Sequence, residues 1–204
     1  TSSVTYPNVL VLDYLKRTEQ AKPEVQMKAE QYINVGYQRL LSFEVEGGGF
    51  SWFGNAPAHK VLTAYGLLEF HDMSRVHEVD PGVIRRTQAW LAGLQKADGT
   101  WEPDAGGISE GIINRQTDTL RVTAYITWML AESGYEGPEL AKALNYLEGK
   151  WRGEKDPYVL AVIGNAFVSA GSKEKVAGAV IDELAGLAVV EDKIAYWETQ
   201  APTF

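Results

Sequence analysis

The chain has 204 residues, enough for one domain with a sizeable core, and 45% of them are hydrophobic, 23% charged, with a formal net charge of −8. This excludes a disordered chain, and without a run of Lys or Arg the acidic balance argues against nucleic acid, which needs clustered cations to sit on phosphates. The absence of cysteine excludes disulfides, thiolate metal sites and a thiol nucleophile within these residues.

The pattern along the chain is helical. Apolar residues recur at i, i+3, i+4 and i+7 in VLVLDYLKRT (9–18), which opens behind Pro7, and in PEVQMKAEQYINVGYQRLLSFE (23–44), which opens on Pro23 and closes at three glycines. EGGGFSWFGNAPAH (46–59) is glycine-rich but lacks the GxGxxG or GxxxxGK[ST] spacing that cradles phosphate. It reads as a left-handed helix exit, an aromatic plug and the entry to the next helix. HKVLTAYGLLEFHDMSRV (59–76) follows, then GVIRRTQAWLAGLQK (82–96) with Asp80 as its N-cap and Pro81 just inside. Further on come TDTLRVTAYITWMLAESG (117–134), PELAKALNYLEGKW (138–151), PYVLAVIGNAFVSAG (157–171) and SKEKVAGAVIDELAGLA (172–188). Only VVEDKIAYWE (189–198) looks like strand, and no apolar run approaches the ~20 residues of a membrane span.

Four tryptophans, Trp52, Trp101, Trp151 and Trp197, are spaced by 49, 50 and 46 residues, most of them at the end of a turn-rich segment. A period of this size points to a repeat architecture, here a helical hairpin of roughly fifty residues. YGLLEF, VTAYITWML and YVLAVIGNAF are apolar over a wide arc, as expected of inner helices, whereas VIRRTQAWLAGLQK and ELAKALNYLEGK are amphipathic, as expected of outer ones. Alternating inner and outer helices curl into an α/α toroid or stack as an open solenoid, and the apolar inner helices favour the toroid.

Two clusters carry possible chemistry. EFHDMSRVHE (69–78) gathers His71, Asp72, His77 and Glu78; with His59 these are all the histidines. A spacing of i to i+6 does not bring ligands to one helix face and there is no HExxH, so they read as polar residues at a helix end and no metal is expected. WEPDAGGISEGIINRQTDT (101–119) carries Glu102, Asp104, Ser109, Glu110 and Asp118. Paired carboxylates there suit acid/base work on a glycan. The plainer alternative is a solvated connection with Thr117 or Asp118 capping the next helix. Arg85-Arg86 and Lys173–Lys175 read as solvated faces.

Taken in order, YPNVLVLDYLKRT, INVGYQRLLSFE, GGGFSWFG, LTAYGLLEF, WLAGLQKADGTW and TLRVTAYITWML resemble the thioester domain of the alpha-2-macroglobulin and complement family, most closely its bacterial members. The resemblance runs along nearly the whole chain and implies an all-α, terpenoid cyclase-like (α/α)6 toroid. It also implies a covalent trap for proteases. A Cys thiol is joined to a Gln side-chain carbonyl in a Gly-Cys-x-Glu-Gln motif at the start of an inner helix, kept dry until a protease cuts a bait region elsewhere in the full protein. In bacterial members the motif continues into Thr-Ser-Ser-like residues and Tyr-Pro. Here TSSVTYP occupies 1–7, so Cys and Gln are expected just before Thr1, with Thr1, Ser2, Ser3, Tyr6 and Pro7 beside the thioester. The 204 residues are then a single thioester-domain fragment, truncated at both ends, with about eight of twelve toroid helices. The position at which some members carry a His that redirects the acyl group to hydroxyls falls on Ser109, next to Glu110, which implies direct attack by amines.

No cofactor is expected, nor a metal, nucleic acid or membrane span. The expected partners are target proteases, engaged through the parent protein, and other domains of the same chain. The lack of Cys pairs and of Asn-x-Ser/Thr sequons favours a bacterial periplasm or cell envelope, with an extracellular parent as the alternative. Two other functions compete: a toroid enzyme (terpene cyclase, prenyltransferase or polysaccharide-acting), weakened by the absence of DDxxD, DxDD and Cys, and a passive helical-repeat interaction module.

Overall fold

A computed structural model describes residues 1–104 and 118–199. The fold is all-α, with eight α-helices among the described residues, one for each helical pattern in the sequence. They are α1 (Ser2–Arg17), α2 (Pro23–Leu41), α3 (Lys60–Met73), α4 (Pro81–Gly93), α5 (Thr119–Glu132), α6 (Pro138–Lys150), α7 (Pro157–Ser169) and α8 (Glu174–Gly186). Two short antiparallel hairpins accompany them: β1 (Glu44–Val45) with β2 (Gly49–Phe50), and β3 (Val189–Glu191) with β4 (Ile194–Tyr196).

The ends of the helices follow local chemistry. Asp118 accepts the Arg121 amide at 2.8 Å, and Asp156 accepts those of Tyr158 and Val159 at 3.0 and 3.2 Å. His59 caps α3 through Nδ1, and Asp80 accepts the Gly82 amide at 2.8 Å. Each of these side chains satisfies an amide that the helix itself leaves without a partner.

The chain divides into two compact units, Thr1–Leu91 and Ala92–Phe204. In the first, α1 packs on α2 and α3, and Val9, Leu12, Ile33, Phe70, Met73 and Val83 form the buried core. In the second, α5 packs on α6 and α7, and α7 on α8, around Trp101, Ile126, Met129, Leu147, Ile163 and Phe167. Burial varies as the amphipathicity suggested. All residues from Arg121 to Thr127 of α5 are buried, whereas α6 buries a stripe of Ala143, Leu144 and Leu147.

Three features differ from the sequence reading. First, α1 starts at Ser2, so Pro7 lies inside the helix rather than ahead of it. Pro7 and Ser3 are both exposed, and solvent can take the place of the amide that the proline withholds from the Ser3 carbonyl. Second, the glycine-rich stretch after α2 is a hairpin, with Gly47 and Gly48 at positive φ in its turn.

Third, the tryptophans are not equivalent: Trp101 and Trp151 are buried, while Trp52 and Trp197 are 47% and 46% exposed. The residue matching Trp101 is Phe50. The Phe50 amide donates to Thr63 Oγ1 at 2.8 Å, and that hydroxyl donates back to the Phe50 carbonyl at 3.4 Å. Thr123 does the same for Trp101, at 3.1 and 3.4 Å. Two residues before each aromatic stands a glycine at positive φ, Gly48 or Gly99. A Cβ at Gly48 would meet the Arg86 carbonyl at 2.6 Å, and one at Gly99 the Lys142 carbonyl at 2.7 Å. Each unit thus has the same device: a glycine pressed on a helix backbone, then an aromatic clamped by a threonine.

Candidate functional site

The residues expected beside the reactive group, Thr1, Ser2, Ser3, Tyr6 and Pro7, occupy the first turns of α1. The first turn is closed by the Val4 and Thr5 amides, which donate to the Thr1 carbonyl at 3.0 and 3.1 Å. Thr1, Ser3 and Pro7 are exposed, and Ser2 and Tyr6 are half-buried. The structure therefore separates these five residues, drawing Ser2 and Tyr6 toward α3 and leaving the other three at the surface. Ser109 and Glu110 lie outside the described residues.

What faces Ser2 and Tyr6 is a group of ionisable side chains on α3. The Tyr6 hydroxyl donates to Asp72 Oδ2 at 2.6 Å, and its ring meets that of Tyr65 edge-on at 5.8 Å between centroids. Burial raises the Tyr6 pKa, and the hydrogen bond to Asp72 adds to it, since an ionised phenol could not donate. Burial likewise raises the Tyr65 pKa, with the charge of Glu69 adding to it. Asp72 has a second partner in Arg75, at 3.3 Å. Tyr6 is thus held in its neutral, donating form and ties α1 to α3.

Glu69 lies at the centre of this group. Its relative exposure is 0%, and neither carboxyl oxygen has a hydrogen-bond partner of good geometry. Burial pushes its pKa up to about 7; the Ser2 side chain lies close enough to pull it back, but less strongly. A fully buried carboxyl with its pKa raised in this way is the kind of group found at reactive sites.

The other face of α1 is fixed by close packing. Gly36 of α2 lies under Thr5, and a Cβ there would come within 2.0 Å of the Thr5 hydroxyl oxygen. Thr5 is buried, and its hydroxyl donates to the Thr1 carbonyl at 3.2 Å. The turn at Thr1 is thus fixed from two sides, by Thr5 over Gly36 and by Tyr6 on Asp72.

The sequence reading did not single out Glu69, Gly36 or Thr5. A signal for Glu69 was present: it is the one charge in the otherwise apolar YGLLEF. The threonine clamp also had a signal, in the repeated Thr-Ala-Tyr at 63–65 and 123–125. The histidine cluster does not form a site. His59 caps α3, and the His77 ring packs against Tyr37 at 5.4 Å. His71 Nε2 lies 3.2 Å from the Arg75 guanidinium, and Asp72 is engaged by Tyr6 and Arg75. Among the described residues no group of three or more His, Cys, Asp or Glu is placed to hold a metal ion.

Residues 1–203 match the family model described as the A-macroglobulin TED domain. The chain is 32% identical over 197 residues to ovostatin of Gallus gallus, covering 94% of the chain and 13% of that protein. It is 29% identical over 198 residues to alpha-2-macroglobulin-like protein 1 of Mus musculus, covering 94% of the chain and 14% of that protein. The chain therefore spans about a seventh of the length of these relatives.

Proposed function

The chain belongs to the macroglobulin thioester-domain family, and on that premise we propose that it is the scaffold of a covalent protease trap. We read both compact units as parts of one thioester domain of α/α-toroid type, a reading that the family match through both supports. The reactive bond is a thioester between a Cys and a Gln placed just before Thr1 in the parent protein. Cleavage of a bait region elsewhere in that protein exposes it, and a Lys amine of the attacking protease is captured. The amine nitrogen bonds to the acyl carbon, the carbon–sulfur bond breaks, and a proton lost from nitrogen leaves the sulfur as a thiol. The domain turns over no substrate and needs no cofactor; its role is to hold the acyl group until it is used once.

The observation that carries this reading is the family match over residues 1–203; within it Tyr6 and Thr5 hold the first turn of α1 in place. A thioester is far more electrophilic than an amide and must be kept from water while it waits, so its support must be rigid. Apolar side chains at the surface of α1 and α2, among them Val4, Val11, Tyr14, Met27 and Val35, offer the parent's other domains a surface to pack on. The parent acts outside the cytoplasm, in a bacterial periplasm or envelope or, alternatively, extracellularly. Within the described residues no helix is long and apolar enough to cross a membrane.

The family resemblance puts Ser109, with Glu110 beside it, at the position of an acyl-accepting His, and on that reading transfer goes directly to amines. The test is to incubate the intact parent with labelled methylamine and labelled glycerol and to titrate released thiol. Methylamine uptake with one thiol per chain is expected. Glycerol uptake matching that of methylamine would overturn the amine-direct reading, and no thiol release at all would overturn the thioester itself.

A further inference from the structure

Glu69 is buried beside the first turn of α1, at the end where the proposed thioester joins the helix, with neither carboxyl oxygen matched. Burying an unmatched carboxyl is costly, and a site that only needed packing would hold an apolar residue there. The groups around it are unevenly arranged. On α1 the Ser2 side chain favours its charged form. Tyr6, also on α1, donates its proton elsewhere, to Asp72. On α3 itself Tyr65 and Asp72 flank it, neither supplying a positive charge. The hairpin strand packed on α3, Gly49–Phe50, has no titratable side chain. The donor that α1 offers Glu69 is therefore the Ser2 side chain, in the first turn, at the positive end of the helix dipole.

We propose that Glu69 is a positioning residue for the thioester: its carboxylate anchors the first turn of α1 and, through it, the acyl-bearing Gln before Thr1. This rests on the reading that a thioester precedes Thr1. In the longer protein Thr1 joins that Gln to the helix, so an acceptor facing Ser2 acts two residues away from the reactive one. When Glu69 is neutral the anchor is absent and the acyl group is held loosely. When it is ionised the turn is fixed and amine attack is faster. The carboxyl titrates across the neutral range because burial has moved it there.

The experiment uses the intact parent protein and follows thiol release between pH 5.5 and 9 with methoxylamine, an amine that stays uncharged over that range. Any step in rate then belongs to the protein. The wild type is expected to show a rise of about tenfold, the worth of one hydrogen bond to a charged group. Glu69→Gln is expected to lose the step. Ser2→Ala, which leaves the core untouched, is expected to move its midpoint upward, and that variant decides the matter if Glu69→Gln does not fold. A step at the same pH in Glu69→Gln, or an unmoved midpoint in Ser2→Ala when that variant decides, overturns the anchor. Failure of the wild type to release thiol would instead overturn the thioester reading on which the anchor rests, and that result is distinguishable from the others.

Discussion

Replacing Gly36 by alanine tests the packing that fixes α1. The new Cβ would lie 2.0, 2.4 and 2.7 Å from Thr5 Oγ1, Cγ2 and Cβ, so three atoms must move, not one. Thr5 cannot easily turn away. It is β-branched and inside a helix, and its hydroxyl is engaged with the Thr1 carbonyl. Alanine favours a helix over glycine by about 1 kcal/mol, while overpacking of this kind costs about 1–3 kcal/mol. Because all three contacts lie under 3.0 Å, the upper end applies, and a net loss of about 2 kcal/mol is expected. Gly66, in the interior of α3, is the matched control, with nothing within 4 Å of its Cβ position. There the same substitution is expected to stabilise by up to about 1 kcal/mol. Urea unfolding of both variants and of Thr5→Gly/Gly36→Ala, which removes the obstructing side chain, separates the terms. The double variant is expected to recover the packing part of the loss. A Gly36→Ala protein as stable as wild type, or no difference in sign between positions 36 and 66, would refute the reasoning.

Glu69 also gives stability a pH dependence. Its pKa is raised from 4.5 to about 7 in the fold, so the folded state holds the proton more tightly than the unfolded one. Its contribution is complete below pH 4.5 and is lost as pH rises through about 7, on the order of 3 kcal/mol in all. The urea midpoint of the wild type is expected to fall between pH 5 and pH 8 by more than that of Glu69→Gln; equal falls would count against a buried, unmatched carboxyl. For the aromatics, Trp101→Ala is expected to cost about 3–5 kcal/mol and Trp52→Ala less than about 1 kcal/mol. Similar losses at the two positions would restore the four tryptophans as equivalent.

The eight helices were legible because their apolar positions keep a helical period and all but the first and last start at Pro, Asp or His. The true start of α1 was not. Its first seven residues, TSSVTYP, have little apolar pattern, and a proline at position 7 reads as a boundary unless its carbonyl partner is known to be exposed. The repeat was found through tryptophan, a rare and visible residue, but its frame was displaced by two at the first copy because burial fell on Phe50 and not on Trp52. Composition cannot distinguish an aromatic that plugs a turn from one that stands beyond it. Ser2 and Tyr6 were picked out from the resemblance. Asp72 was picked out only as part of the histidine cluster, and its pairing with Tyr6 was not, because 66 residues separate the two and one sequence records no pairing at that distance.

The glycine–aromatic–threonine clamp has a consequence for how such chains vary. Its glycine and aromatic are two residues apart, but the threonine lies 13 or 22 residues further on, and the three act together: the threonine hydroxyl grips the aromatic's backbone, and that backbone arrives only if the glycine lets it pass. Evolution is therefore constrained to treat positions 48, 50 and 63 as one character, and 99, 101 and 123 as another. A distant relative that keeps all three members of a set while losing most of its identity still carries the joint. One that has exchanged a single member should differ at the others as well.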